Sequence, residues 1–147
     1  MHPFNHPDLW TGHASLVDEI AAQLPPGCPP PAAIVCSVGG GGLLNGIAEG
    51  IERRGWTTAG VRLVAVETEG ANCLQAALRA GHIVSLPTIS SVAKSLGALS
   101  VSARTYELAT TRDVRNVVVS DRQAVDACAR FLGTAGGTAS SNAEAQD

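Results

Sequence analysis

AAIVCSVGGGGLLNGIAEGI, residues 32–51, is the stretch that decides the fold. Its first part, residues 32–38, is a short and almost continuously apolar run, which is typical of a buried parallel strand. Its last part places the apolar side chains at helical spacing, at Leu43, Leu44, Ile47, Ala48 and Ile51. The four consecutive glycines between the two parts, residues 39–42, are therefore predicted to connect a buried strand to a helix.

Strand and helix patterns alternate along the rest of the chain. Helices are predicted over 11–24, 43–54, 71–80, 103–111 and 121–132, and strands over 32–38, 61–67 and 114–120. Residues 1–10 and 82–100 are predicted to be mainly loop, with a short helix around 92–96. This order predicts an α/β fold, with an open and mostly parallel sheet covered by helices on both faces.

The last 15 residues differ from the rest of the chain in composition. Residues 133–147 include no large apolar side chain and so have nothing to bury. We therefore predict one domain over residues 1–132, followed by a disordered or aberrant tail over 133–147.

Composition and charge exclude several classes of partner. The net charge of −3 argues against binding to nucleic acid or to an acidic membrane surface. No apolar run reaches the roughly 18–20 residues that span a bilayer. The four cysteines are scattered, which predicts free thiols, three of them buried, and neither a disulfide framework nor a zinc site. These features indicate a cytoplasmic protein.

The glycine loop is predicted to bind a phosphate group. Backbone N–H groups converge on anions at the start of a helix, and glycines allow the ligand to approach closely. No lysine follows Gly42, which excludes the P-loop pattern, but a loose dinucleotide pattern fits Gly40, Gly42 and Gly46. Glu67 would then take the place of a ribose-binding acid. A dinucleotide-binding or other non-catalytic phosphate-binding module therefore stays open as an alternative.

Five motifs in a fixed order go beyond a generic phosphate loop. They are HPFNHPDLWTGHAS at 2–15, SVGGGGLL at 37–44, AVETEGA at 65–71, SLP at 85–87 and SSVAKSLGA at 90–98. Together they resemble the L-serine dehydratase/L-threonine deaminase family, whose members use pyridoxal phosphate and share the fold of the tryptophan synthase β chain. The resemblance covers about residues 2–132.

The resemblance implies a lyase reaction. L-serine would lose water to give an aminoacrylate, whose hydrolysis takes the water up again and gives pyruvate and ammonia, with the cofactor ring as the electron sink. L-threonine would give 2-oxobutanoate in the same way. The cofactor phosphate would be held by the backbone of Gly39, Gly40, Gly41, Gly42 and Leu43. The full-length parent would be a homodimer.

The resemblance also implies that this chain is a fragment, inactive alone and without a catalytic residue. The lysine that binds the cofactor would precede residue 1, and the partner of the pyridine nitrogen would follow residue 132. Lys94, the only lysine, is then expected to be a partly exposed structural residue.

A cation site is the last expectation from the resemblance. Glu67, Ala71 and Cys73 match positions that form a divalent-cation site in the related serine racemases, with an aspartate where Cys73 stands. A neutral thiol suits a hard divalent cation poorly. The expected ion is therefore potassium or another monovalent cation, held by the carbonyl groups of Gly39, Ala71, Leu96 and Ala98.

Overall fold

The structure is a computed structural model that describes residues 2–137, and it has the predicted α/β architecture. The elements are α1 Pro7–Gln23, β1 Ala33–Ser37, α2 Gly42–Arg53, β2 Arg62–Thr68, α3 Cys73–Ala80, α4 Ala103–Thr111, β3 Val114–Val119 and α5 Asp121–Gly137. The last helix continues beyond its predicted end at residue 132. Residue 1 and residues 138–147, most of the predicted tail, lie outside the described residues, so the division into domain and tail stays a prediction.

The three strands form a parallel sheet in the order β1-β2-β3, which confirms the predicted parallel arrangement. Val35 pairs with Val64, and Val64 pairs in turn with Arg115. Because all strands run the same way, the carboxyl ends of β1, β2 and β3 lie along one edge of the sheet. The glycine loop leaves β1 at this edge.

The hydrophobic core joins one face of the sheet to α2 and α4. Ile34 and Leu63 face this core from the strands, and Leu44, Ile47 and Leu108 face it from the helices. Each large apolar side chain buried in this way contributes about 1.5–3 kcal/mol. The other face is open at β1, where Val35 is 65% exposed.

Helices α1 and α2 pack against each other at two glycines. A Cβ added to Gly50 would lie 2.7 Å from the Ala14 carbonyl oxygen, and one added to Gly46 would lie 2.6 Å from that of Trp10. The two helices therefore approach closely enough to bury Ala14 and Val17 completely. This contact fixes the segment before α1 relative to the start of α2.

The predicted loop over residues 1–10 is wrong at its end, because α1 already begins at Pro7. His6 caps the helix, with its Nδ1 atom accepting a hydrogen bond from the Asp8 amide at 3.3 Å. Proline suits the first helical position, where its missing N–H group would have no partner in any case.

The predicted short helix around 92–96 is also wrong. A single turn forms there, in which the Gly97 amide donates to the Ala93 carbonyl group at 3.0 Å. A window of five residues offers only one such turn, which does not offset the free-energy cost of starting a helix.

All four cysteines are free, as predicted, but only two of them are buried. Cys36 and Cys73 are buried, and burial raises the pKa of each thiol to about 11. Cys28 and Cys128 are exposed, so the prediction of three buried thiols was wrong. Cys128 lies on α5, which is largely exposed along the described part of its length.

Among the helices of residues 2–137, none is both long enough and apolar enough to cross a bilayer.

Candidate phosphate-binding site

The glycine loop, residues 39–43, lies between the carboxyl end of β1 and the first turn of α2. Gly41 caps α2 with a φ of 94°, in the left-handed region that L-amino acids with a side chain rarely adopt. The loop borders a cavity of about 410 Å³, which is lined by Phe4 and His13 on the α1 side and by residues 95–98 across the loop.

The loop amides are available to a ligand. Within residues 2–137, no hydrogen bond uses the N–H groups of Gly39–Leu43 as donors. The first N–H groups of a helix have no acceptor within that helix, and the helix dipole adds partial positive charge at this end. Five consecutive unpaired amides beside a cavity match the arrangement that binds anions at helix N-termini.

The space around the loop has no room for side chains at residues 39–42. A Cβ added to Gly39 would overlap the Leu96 carbonyl oxygen, and one added to Gly40 would overlap the Phe4 ring. One added to Gly41 would overlap the Thr105 side chain, and one added to Gly42 would lie 2.9 Å from the Phe4 carbonyl oxygen. All four glycines are therefore required by packing.

Phe4 covers the glycine loop and is itself held in place. Its carbonyl oxygen accepts a hydrogen bond from Trp10 Nε1 at 2.9 Å. Its ring packs edge to face on His2, with 4.5 Å between the centroids. The position of Phe4 over the loop was not predicted, because the two contacting segments lie far apart along the chain.

Three of the four expected cation ligands meet at the cavity. Gly39, Leu96 and Ala98 line it, whereas Ala71 is buried outside it, just before α3. The Gly39 carbonyl oxygen accepts a hydrogen bond from Cys73 Sγ at 3.4 Å. Burial, reinforced by the nearby Glu67 carboxylate, raises the pKa of the Cys73 thiol to about 11, so it is a protonated donor at neutral pH. The described part of the chain has no cluster of three or more histidine, cysteine, aspartate or glutamate side chains that could hold a metal ion.

Glu67 caps α3 and is not open to a ligand. Its side chain is 1% exposed. Its two oxygens accept hydrogen bonds from the Leu74 amide at 2.8 Å, the Gln75 amide at 2.9 Å and Asn116 Nδ2 at 2.9 Å. A ribose-binding acid must face the ligand, so the dinucleotide alternative loses the residue that supported it.

Lys94 is exposed, as expected, on the turn that begins at Ala93. The cavity is lined by its neighbours Ser95 and Leu96, and no lysine is among the lining residues. The structure therefore does not place Lys94 at the glycine loop.

A buried polar cluster behind the loop was not predicted. Asn45, Ser102 and Thr105 bond to one another, with Asn45 Nδ2 3.2 Å from Ser102 Oγ and Thr105 Oγ1 2.9 Å from Asn45 Oδ1. The only sign in the sequence is that Asn45 interrupts an otherwise apolar helix face.

A second cavity, of about 420 Å³, lies at the opposite end of the sheet, where Arg62 begins β2 and Val114 begins β3. Of the charged groups that line it, Arg112 is paired with Glu52 at 3.0 Å. It has no row of unpaired amides, so the glycine-loop cavity is the better candidate for an anion.

Known sequences and structures are similar to this chain over most of its length. Residues 1–144 match the family described as pyridoxal-phosphate dependent enzyme. The mouse protein named serine dehydratase-like is 52% identical over 130 residues, which are 88% of this chain and 38% of that protein. The human L-serine dehydratase/L-threonine deaminase is 44% identical over 130 residues, with the same coverage of 88% and 38%.

A solved structure has the same fold. The crystal structure of a fungal L-serine ammonia-lyase from Rhizomucor miehei matches with a TM-score of 0.83 and 39% identity, covering 90% of this chain and 41% of that one. The chain thus spans about 38% of the length of the curated relatives named above.

Proposed function

This chain belongs to the family of pyridoxal-phosphate dependent enzymes, and from that premise we propose that it supplies the cofactor-phosphate cradle of an L-serine and L-threonine dehydratase. The observation that carries the proposal is the row of unpaired amides from Gly39 to Leu43 beside the cavity. The names of the relatives support the substrates, since they are called serine dehydratase, threonine deaminase and serine ammonia-lyase.

The residues present fit the phosphate end of the cofactor. A phosphate group bears close to two negative charges and several acceptor oxygens, which matches several amides at a helix N-terminus. The glycines let the backbone reach these oxygens without side chains in between. Pyridoxal phosphate, when bound, supplies the electron-withdrawing ring that makes elimination from an amino acid possible.

The other residues at the cavity have positioning roles in this proposal. Phe4 lies over Gly40 and Gly42 and shields the amides from water on that side. Residues 95–98 line the opposite side of the cavity. A phosphate bound by several of these amides holds the rest of the cofactor in one orientation, since charge-assisted hydrogen bonds from fixed donors set its position.

Binding can be tested on the chain itself with two ligands that differ only in the phosphate. Pyridoxamine 5′-phosphate should bind and should shift the amide resonances of Gly39–Leu43 in a ¹⁵N–¹H spectrum, whereas pyridoxamine should not. Gly40→Val should abolish binding, because its side chain would overlap Phe4. Gly12→Ala is the matched control, because a Cβ there meets nothing within 4 Å. Equal binding of the two ligands, or shifts confined to residues around Arg62, would contradict the cradle.

Activity requires a separate experiment. Residues 2–132 can replace the matching segment of the fungal L-serine ammonia-lyase, which is similar over 90% of this chain. We expect the chimera to form pyruvate from L-serine and 2-oxobutanoate from L-threonine. A folded chimera that binds pyridoxamine 5′-phosphate but deaminates neither amino acid would refute the dehydratase activity and leave the phosphate site standing.

We propose in addition that a monovalent cation, such as potassium, binds the carbonyl groups of Gly39, Ala71, Leu96 and Ala98. The proximity of the Gly39 and Leu96 backbones supports this ligand set. Potassium chloride should then raise the thermal stability of the chain more than choline chloride of equal ionic strength, and magnesium should have no specific effect. Cys73→Asp should introduce a response to divalent ions, because it adds a carboxylate at the site. Equal effects of potassium and choline would contradict the cation site.

The resemblance further leads us to propose that the protein works as a homodimer in the cytoplasm. Sedimentation velocity of the full-length parent and cell fractionation test the two statements separately.

A further inference from the structure

We propose that Asn45, Ser102 and Thr105 are positioning residues that fix the direction of the loop amides facing the cofactor phosphate. This inference rests on the proposed phosphate-binding function of the glycine loop. It assigns a role to a side-chain cluster that does not itself line the cavity.

The three side chains form a closed ring of hydrogen bonds. Asn45 Nδ2 donates to Ser102 Oγ at 3.2 Å, Ser102 Oγ donates to Thr105 Oγ1 at 2.8 Å, and Thr105 Oγ1 donates to Asn45 Oδ1 at 2.9 Å. All three residues are buried, at 3%, 4% and 0% exposure. Each hydroxyl group donates once and accepts at least once. The hydrogen bonds therefore run in one direction around the ring, and no hydroxyl group is left without a partner. Closed networks of this kind are more rigid than separate bonds.

The residues of the ring contact two consecutive carbonyl groups of the glycine loop, Ser102 and Asn45 through their backbone N–H groups and Thr105 through its side chain. The Ser102 amide donates to the Gly40 oxygen at 3.0 Å, and Thr105 Oγ1 lies 3.5 Å from the same oxygen. The backbone N–H group of Asn45 donates to the Gly41 carbonyl oxygen at 2.9 Å. The Thr105 side chain also fills the space that a Cβ of Gly41 would need.

These carbonyl bonds set the direction of the next amides. Residues 2–137 contain no cis peptide bond, and in a trans peptide the N–H group points away from the C=O group. Because the oxygens of Gly40 and Gly41 point toward the ring and into α2, the N–H groups of Gly41 and Gly42 point the opposite way.

Glycine peptides can otherwise rotate, since both halves of the Ramachandran plot are open to them. A loop of four glycines alone would therefore lose entropy when it orders around a phosphate. The ring imposes the bound orientation beforehand, which raises affinity through preorganisation.

If the ring is a positioning device, the hydroxyl group of Thr105 should raise the affinity for the ligand. If the ring only stabilises the fold, removing this hydroxyl group should leave the affinity unchanged. The probe is pyridoxamine 5′-phosphate, whose amine cannot attach covalently to Lys94. It is titrated into the whole chain and into Thr105→Val, which keeps the shape but removes the hydroxyl group. Thr105→Ser keeps the hydroxyl group, and Thr110→Val makes the same change on the exposed side of the same helix.

We expect Thr105→Val to raise the Kd about tenfold, as the loss of about 1.4 kcal/mol would. The Kd of Thr105→Ser should stay within about twofold of the parent, as should that of Thr110→Val. In the ligand-free protein, Thr105→Val should also shift the amide resonances of Gly41 and Gly42. If Thr105→Val does not fold, Asn45→Ala opens the same ring and should weaken binding in the same way.

Two results would overturn the proposal. One is a folded Thr105→Val protein that binds with the parental Kd. The other is an equal loss in Thr105→Val and Thr105→Ser, which would assign the effect to packing. If the parent chain itself does not bind the probe, the phosphate site is refuted. The amide shifts of Gly41 and Gly42 in ligand-free Thr105→Val still show whether the ring controls the loop.

Discussion

Glu67 combines nearly complete burial with three accepted hydrogen bonds. The burial raises the pKa of this carboxyl group, and the bonds from Leu74, Asn116 and Gln75 counteract the rise only in part. Ionisation of Glu67 is therefore less favourable in the folded chain than in the unfolded chain. The carboxylate nevertheless has a structural role, because its two oxygens accept hydrogen bonds from all three donors.

Glu67→Gln tests this balance. The amide group of glutamine would face one of the three donors, so we expect a loss of about 1–3 kcal/mol in the free energy of unfolding. Because the folded-state pKa of Glu67 is raised, its ionisation opposes folding. The parent should therefore lose stability as pH rises from the ordinary glutamate pKa through the raised one, and the variant should lack this slope. Urea unfolding at several pH values measures both effects, and a variant with the same slope would contradict the assignment.

Gly41 has a left-handed backbone conformation, and the Thr105 side chain occupies the space that a Cβ atom at this position would need. Gly41→Ala should destabilise the chain by about 1–2 kcal/mol through the backbone alone, and by more through overlap with Thr105. Gly81→Ala is the control, because Gly81 has a φ of 74° but no neighbour within 4 Å of an added Cβ. Equal melting temperatures for the two variants would show that the Thr105 contact has no effect.

Residue patterns predicted the glycine loop but not the residues around it. Four glycines between an apolar strand and an apolar helix are a local signal, and such signals can be read along the sequence. The contact between Thr105 and Gly40 joins residues 65 positions apart, and no local pattern encodes it. The hydrogen bonds of Glu67 could not be predicted for the same reason, since its partner Asn116 is 49 positions away.

At the level of elements, the segment after β2 is tied to the start of α5. Asp121 accepts hydrogen bonds from Ser91 Oγ at 2.6 Å and from the Val92 amide at 2.9 Å. Thr68 Oγ1, at the end of β2, lies 2.7 Å from the same serine oxygen. The segment that lines the cavity at residues 95–98 thus has an anchor made of side chains, although residues 82–100 were predicted only to be mainly loop.

Asp121→Ala should release this anchor. Amide hydrogen exchange at residues 92–97 should accelerate several-fold, whereas Asp126→Ala, on the same helix and exposed, should leave it unchanged. The bonds from Ser91 and Val92 lower the pKa of Asp121. The anchor is therefore complete above the ordinary aspartate pKa and is lost only as pH falls through the lowered value, so exchange corrected for pH should be constant between about pH 5 and about pH 8. Unchanged exchange in Asp121→Ala would mean that backbone contacts alone hold the segment.

Element types were predicted better than element ends. All three strands and the helix at 103–111 were found, because their apolar spacing is periodic over enough residues to be distinctive. The start of α1 was missed because His6 and Pro7 were taken as loop residues, although they cap and begin the helix. The turn at 92–97 has no periodic pattern, and the Val92 amide before it bonds to Asp121, which is 29 positions away in the sequence.

For the molecule as a whole, the position of Lys94 determines whether the 147-residue chain is expected to deaminate L-serine alone. Lys94 is exposed and is not among the residues that line the glycine-loop cavity. We therefore expect the purified chain, supplied with pyridoxal phosphate and L-serine, to form no pyruvate above background in a lactate dehydrogenase assay. Turnover on the order of one per second that disappears in Lys94→Arg would contradict this expectation.

The glycine loop also has a consequence for the order in which the chain acquires its native state. Phe4, Leu96 and Thr105 all contact residues 39–42, so segments that precede the loop and segments that follow it by more than 50 residues must pack before the loop is fixed. Contacts between distant residues form slowly, because closing a long loop of unfolded chain lowers its entropy. In a refolding experiment, the circular dichroism signal of the helices should therefore return first and ligand binding last. A folding intermediate is then expected that has its helices but does not yet bind phosphate.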